Sequence, residues 1–416
     1  MSCGDETPSA IKPQSETMGD PIPVESGPLL ILPGDEPVVR VRLESRRSGG
    51  EPVTIGQEGV VLEVADGTGS AERINGPIHI SRHDEHWVID TAQGGVRVRR
   101  TGDRLRFRCS DPVVVGSGEH RFAGELHCVA SSDTWHLIEH IQMEEYIPGV
   151  LAGELYAGWS FSCYAAQAVA ARSFACMEVQ MRTRSDWDVV ASPTSQAYVG
   201  VTDNRTAHEA QAMTQGMVLA WNNQLVPGYY SSCCGGLAAI AVNQISSSPV
   251  NNVPPLEGHD GRDPCTNSPL YDWTIDRSAR SLHRRLDAWS KHRSNHTLGR
   301  LTSIESITVH ERNRHGRPMV LRITDRGGRS AKLTLQEFLE ATGFEGSGSP
   351  RTRPKSLWSG WATGTVHRGR VQMQGHGFGH GVGLCQYGAQ ELGSNGKSFR
   401  EILAWYYPGS ELHKGW

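Results

Sequence analysis

Apolar residues fall into two rhythms along this chain. From Leu29 to about residue 140 they form short alternating runs: Val38–Leu43, Val53–Ile55, Val60–Val64, Ile78–Ile80, Trp87–Ile89, Val96–Val98 and Leu105–Phe107, with Gly or Asp between them. Side chains on a strand point alternately to its two faces, so this spacing predicts half-buried strands in a mostly antiparallel unit. Residues 1–27 are rich in Ser, Pro and Glu, show no apolar period, and read as a flexible leader. The rhythm turns helical at Glu144–Leu155 and continues in an Ala-rich stretch, Ser162–Arg182, with Ser160 or Ser162 as candidate N-cap. Residues 205–216 also read as helix, and Val218–Trp221 with Leu225–Tyr230 as a hairpin across Asn222-Asn223. A Pro/Asn/Gly/Asp-rich loop covers 244–270, long enough to suggest a function or a lid, and a basic helix covers Arg277–Arg293. Ile304–Val309 and Met319–Thr324 read as strands around the turn His315-Gly316; a glycine-rich loop (375–383) and a short helix, Ser398–Tyr407, close the chain. The expectation is an α+β fold, β-rich with antiparallel strands and a few helices around a groove. It divides into a leader (1–27), an N-terminal β-rich unit (28–140) and a core (141–416) carrying the loop 244–270 and the helix 277–293.

Composition narrows the classes. A length of 416 residues supports two or more folding units, and a net charge of −4 argues against a protein built to coat nucleic acid or anionic membrane. The basic helix therefore reads as a solvated face. Positive charge comes from 35 Arg against six Lys, and Arg keeps its charge at any physiological pH. No window of 18 consecutive apolar residues occurs, so no membrane span is expected. The segment Met1-Ser-Cys-Gly-Asp-Glu shows neither the basic nor the apolar part of a secretion signal. Nine Cys are too sparse for a disulfide scaffold, and an odd number leaves at least one unpaired. Cys109 and Cys128, on two predicted strands, are a candidate hairpin staple.

Three blocks carry chemistry. In Met143-Glu-Glu-Tyr-Ile-Pro-Gly-Val-Leu-Ala-Gly-Glu154, Pro148 suits the first turn of a short helix and Glu154 its C-terminal end. A carboxylate there meets the negative pole of the helix dipole, which raises its pKa toward that of a general acid. Arg172 lies on the Ala168–Arg172–Ala175–Val179 face of the next helix, among small apolar residues, and needs an anionic partner. Glu154 is the nearest candidate, in either a structural or a catalytic pair. The second block is Gly375-His-Gly-Phe-Gly-His-Gly-Val-Gly383-Leu-Cys-Gln-Tyr387. Its alternating Gly would line one side of an extended segment and admit another backbone or a sugar ring. His376 and His380 would then stand about 13 Å apart, too far to share a metal. The third is Tyr229-Tyr-Ser-Ser-Cys233-Cys234-Gly-Gly236, with His259 and Cys265 downstream. Three Cys and a His form a candidate zinc set, but the spacing lacks two knuckle pairs, and a disulfide from Cys233 or Cys234 to Cys265 is the expectation instead. The aromatics Trp159, Trp187, Tyr198, Trp273, Trp405, Tyr406 and Tyr407 are either sugar platforms or core.

Together these blocks resemble the stage II sporulation protein D family (SpoIID), which includes the amidase enhancer LytB. The resemblance rests on Glu145-Tyr-Ile-x-Gly-Val-x-x-x-Glu154, Ala166-Gln-Ala-Val-Ala-Ala-Arg172, Ser195-Gln-x-Tyr-x-Gly200, Tyr230-Ser-Ser-x-x-Gly-Gly236, Gly375–Ala389 and Phe399-x-Glu-Ile-Leu-x-x-Tyr-Tyr-x-Gly409. It implies a peptidoglycan lytic transglycosylase, cleaving between N-acetylmuramic acid and N-acetylglucosamine on strands stripped of stem peptides and leaving 1,6-anhydro ends. Glu154 and Arg172 would be its catalytic residues. Gln167, Ser195, Gln196, Tyr198, Tyr230, Ser231, His376, His380, Gln386 and Tyr387 would hold the glycan. The other implied reading is a non-catalytic enhancer of a cell-wall amidase. Either role is extracytoplasmic, without nucleic acid and without a required cofactor. Two departures stand out: Leu384-Cys385 replaces the family's usual Met-Ser, and Cys233-Cys234 follows Tyr230-Ser-Ser, a neighbourhood in which some relatives hold zinc.

Overall fold

Where the apolar runs alternate, the chain is extended. The computed structural model describes residues 30–66, 71–91, 97–118, 120–350 and 357–416; the leader lies outside them. Strands occupy Val38–Arg47, Val53–Ile55, Val61–Asp66, Ile78–His83, His86–Thr91, Arg97–Thr101 and Arg104–Arg108, so each predicted run falls on a strand over its described residues, Val96 lying outside them. Val39 and Val41 are fully buried while Val38 is exposed, the alternation a one-faced sheet requires. Val38–Arg47 pairs antiparallel with Thr134–Gln142 inside a seven-stranded sheet, and on its other edge takes up the short strand Val189–Val190 in parallel. The fold is mixed α+β with mostly antiparallel sheets, as expected.

Three helices follow. Thr134–Gln142 leads without a loop into α1 (Met143–Glu154), and α2 (Phe161–Met181) is capped by Ser160, whose hydroxyl accepts from the Cys163 amide at 3.3 Å. Because α1 starts at Met143, Pro148 lies inside the helix rather than in its first turn. α2 is buried on nearly every side, and its Ala-rich sequence lets α1, α3 (Arg205–Met213), the strand Met217–Trp221 and two C-terminal helices pack close around it.

The apolar clusters cut the chain elsewhere than at residue 140. One cluster runs from the N-terminal strands through α1 and α2 to Tyr407, so the β-rich unit and the helices share a core. A second, built from Trp273 to Met373, belongs to a six-stranded sheet ordered Asp272–Ser278, Arg370–His376, Ala362–His367, Ile304–Arg312, Pro318–Asp325 and Ser330–Thr334. The predicted basic helix forms over Ala279–His292 as part of this inserted layer. It starts two residues later than expected because residues 272–278 pair with 370–376 as a strand.

Candidate active site

Glu154 ends α1 at the floor of a cleft of about 750 Å³, within the size range of small-ligand sites. Three donors converge on its carboxylate. The Ala197 amide donates to Oε1 at 2.7 Å, the Tyr230 hydroxyl to the same oxygen at 3.2 Å, and Gln386 Nε2 to Oε2 at 3.1 Å. Burial raises the Glu154 pKa and outweighs these three donors, which pull it down. The sequence reading had the direction right, but removal from water is the leading cause rather than the helix pole.

A chain of hydrogen bonds backs the acid. Tyr146 donates to Gln196 Oε1 at 3.1 Å, Gln196 Nε2 donates to the Tyr230 hydroxyl at 3.1 Å, and Tyr230 passes its own proton donor on to Glu154. Burial, then the charge of Glu154, holds the Tyr230 phenol well above its ordinary pKa, so it remains a donor. Tyr230 and Gln386 meet because the strand Tyr230–Ser231 pairs in parallel with Leu384–Cys385, and the Tyr387 amide donates to the Ser232 carbonyl at 3.1 Å.

The glycine-rich loop is coiled, not extended. Gly377, Gly379, Gly381 and Gly383 all have positive φ, between 66° and 96°. A side chain on Gly377 would strike the Cys233 carbonyl and one on Gly383 the Tyr229 carbonyl, so the loop lies directly on the Tyr229–Cys233 backbone. The expected close approach of another backbone is therefore present, in a different conformation. The coil sends the two histidines apart. His380 lines the cleft, its Nδ1 accepting from the Val382 amide at 3.0 Å; burial, then the charge of Arg317, lowers its pKa to about 4, leaving a neutral ring. His376 instead sits against Trp361, with Nδ1 2.5 Å from an Asp272 oxygen, outside the cleft lining.

Ser195, Tyr230, Ser231, His380, Gln386 and Tyr387 line the cleft, and Gln196 stands directly behind it. Arg172 does not. It is fully buried and forms a fork with Glu144, Nε to Oε1 at 2.9 Å and Nη2 to Oε2 at 2.8 Å. The reason is helical geometry: Phe174 and Glu178, one turn apart on α2, face the cleft, and position 172 is about 200° around the helix from 174. Gln167 is buried inside α2, and Tyr198 packs on Tyr146 and Phe122; neither lines the cleft. Sequence reasoning missed Phe174 and Glu178, although their i, i+4 spacing was visible, and missed Tyr156 and Phe378. Tyr156, Trp159 and Tyr387 form one aromatic cluster on the rim, with ring centroids 5.1 to 6.4 Å apart. Of the other aromatics considered as platforms, Trp273, Tyr406 and Tyr407 are core, and Trp187 packs on His136.

The cysteines also depart from expectation, since none of the described ones is disulfide-bonded. Cys128 pairs in register with Leu105, four residues short of Cys109, so the hairpin staple cannot form. Cys233 and Cys234 each place Sγ 3.6 Å from Cys265 Sγ, in contact without a bond. His259 turns to Asp263, Nε2 to Oδ2 at 3.5 Å, and the group that gathers is Cys234, Asp263, Cys265 and Cys385.

Comparison with known proteins shows what the chain that carries this site is similar to. The SpoIID family model, "Stage II sporulation protein", matches residues 131–221, which hold α1 with Glu154, α2, α3 and the Met217–Trp221 strand. Its relatives include an uncharacterised protein of Brachyspira hyodysenteriae, 26% identical over 323 residues, covering 76% of this chain and 79% of that protein. The amidase enhancer of Bacillus subtilis is 26% identical over 295 residues, 64% of this chain and 40% of the enhancer. Stage II sporulation protein D of the same organism is 25% identical over 297 residues, 66% of this chain and 75% of that protein. Among the described residues, no helix is long and apolar enough to cross a membrane.

Proposed function

We propose that the protein is an extracytoplasmic lytic transglycosylase acting on peptidoglycan glycan strands. The observation that carries this reading is Glu154, a carboxyl group with a raised pKa and three convergent donors at the floor of an aromatic-rimmed cleft. In its neutral form Glu154 protonates the oxygen between N-acetylmuramic acid and N-acetylglucosamine, and the bond to C1 breaks. The resulting carboxylate is stabilised by Tyr230, Gln386 and the Ala197 amide. It then takes the proton of the muramic 6-hydroxyl as that oxygen closes onto C1, giving the 1,6-anhydro end and regenerating the acid. The nucleophile belongs to the substrate, so the second carboxylate of an ordinary retaining or inverting hydrolase has no task here. Arg172 serves this scheme as a positioning residue, fixing α1 through Glu144 rather than touching glycan.

Incubation with glycan strands stripped of stem peptides, read by mass spectrometry, should yield anhydro-muramic ends from wild type and none from Glu154→Gln. Equal release by the two would end the assignment. The similarity to an amidase enhancer favours a second reading, a glycan-binding module that stimulates a cell-wall amidase. On that reading strands are bound, amidase turnover rises, and no anhydro ends form with either protein.

A further inference from the structure

Behind the strand pair that carries Tyr230 and Gln386, four donor atoms from distant parts of the chain meet out of contact with water. We infer that Cys234, Asp263, Cys265 and Cys385 form a closed structural site for one thiophilic divalent cation such as zinc. The four ligand atoms lie within 4.8 Å of one another and all four residues are buried. A tetrahedron with metal–sulfur arms of about 2.3 Å has edges of about 3.8 Å. The Cys234 and Cys265 sulfurs stand 3.6 Å apart, close to that edge and well beyond an S–S bond.

Asp263 is the independent evidence. Both of its carboxylate oxygens are buried without a well-formed hydrogen bond; beside them stand the buried Tyr406 hydroxyl, equally without one, and His259 Nε2, 3.5 Å from Oδ2. A carboxylate in that position is costly unless a cation answers it. A disulfide does not resolve this, because it consumes two of the sulfurs and leaves the third thiol and Asp263 as they were. Arg317 sets a positive charge beside the four ligands. Its guanidinium is fully buried and donates to the carbonyls of Cys234, Leu237 (2.8 Å) and His380 (3.3 Å), beside the sulfurs. Three thiolates and a carboxylate set against a divalent cation leave two negative charges, of which Arg317 offsets one. Binding releases the three thiol protons. The Cys234 amide donates to Cys385 Sγ at 3.3 Å, the outer-shell bond that steadies a thiolate ligand.

Placement says what such a cation does. Cys234 follows the strand Tyr230–Ser231, Asp263 and Cys265 belong to the long loop 244–270, and Cys385 immediately precedes Gln386. A cation would tie the loop to both strands that aim donors at Glu154. With four protein ligands and no open position the site is structural rather than catalytic. The donor set differs from the one read in the sequence, replacing Cys233 and His259 with Asp263 and Cys385.

The test uses the full chain, purified without chelator. Elemental analysis should find one zinc per chain, and cobalt substitution should give the thiolate charge-transfer bands and intense visible absorption of a tetrahedral sulfur site. Asp263→Asn, which preserves shape, should weaken binding about 10–100-fold, and Cys385→Ser should abolish the cobalt spectrum. If the reduced, folded wild-type protein, checked by circular dichroism, takes up neither metal, the proposal is wrong. A Cys234–Cys265 or Cys233–Cys265 disulfide found by mass spectrometry in protein from the cell envelope would also overturn it. None of these readouts depends on glycan cleavage.

Discussion

Glu154 is pulled in opposite directions by its surroundings. Burial favours the neutral acid, while the Tyr230 hydroxyl, the Gln386 amide and the Ala197 N–H favour the carboxylate. Its raised pKa means that the fraction able to protonate a leaving oxygen persists above the usual carboxylate range, and activity is lost as pH rises through that pKa. Removing a donor to the carboxylate destabilises only the ionised form, so Tyr230→Phe should move the basic limb of the pH profile of kcat/KM for anhydro-end release to higher pH. Gln386→Ala should move it the same way. A limb that stays in place in both variants would mean that another group sets it. His380 does not compete for this limb, because its pKa near 4 keeps it neutral throughout.

At the scale of elements, α1 is held at both ends by contacts from elsewhere in the chain. At its start, Glu144 Oε1 accepts from Arg172, from the Gly216 amide at 2.9 Å and from Trp416 Nε1 at 3.0 Å, while Oε2 accepts from Arg172 and from Gln211 Nε2 at 2.6 Å. Burial raises the Glu144 pKa, but the hydrogen bonds and charge of Arg172 and its other donors hold it below the ordinary value. The stability this contributes is present above the unfolded-state pKa and fades as pH falls through the depressed one. Glu144→Gln leaves Arg172 buried and unpaired, so urea unfolding at neutral pH should show a loss of about 3–5 kcal/mol, and the difference from wild type should shrink in acid. At the far end, a Cβ on Gly153 would stand 2.6 Å from the Ala197 carbonyl oxygen. Gly153→Ala improves helix propensity by about 1 kcal/mol, yet it should push the 195–197 segment off the Glu154 carboxylate. Anhydro-end release should fall while the fold persists by circular dichroism; unchanged release would show that this close approach is dispensable.

Across the whole molecule, the inserted six-stranded layer returns its chain to the cleft through the glycine-rich loop. Phe378 lines the cleft and meets Trp358 at 5.4 Å between centroids, each ring 38% exposed, while the Tyr156–Trp159–Tyr387 cluster stands on the rim. A strand lying between these aromatics would contact both layers. Phe378→Ala removes an aromatic contact of about 0.5–1.5 kcal/mol, so KM for long strands should rise roughly two- to tenfold with kcat nearly unchanged. A fall in kcat at constant KM would place Phe378 in the chemistry instead.

The strands, α1 and α2, and the place of Glu154 at a helix end were legible in the sequence because they depend on periods of two and 3.6 residues, which are local. The register that makes 272–376 a separate layer was not, since pairing 272–278 with 370–376 is a contact across nearly a hundred residues. Partner choice was equally out of reach. Arg172 on a packed face announced the need for an anion and pointed to Glu154, but α1 carries three carboxylates, Glu144, Glu145 and Glu154, and only the packing of α1 on α2 chose Glu144. The alternating glycines announced a close backbone approach, yet only the fold chose a left-handed coil over an extended strand, and thereby kept His380 at the cleft and removed His376. Periodicity determines which residues form an element and which face is apolar. Which faces meet, and therefore which charges, sulfurs and rings share a site, is decided by long-range burial that no local pattern contains.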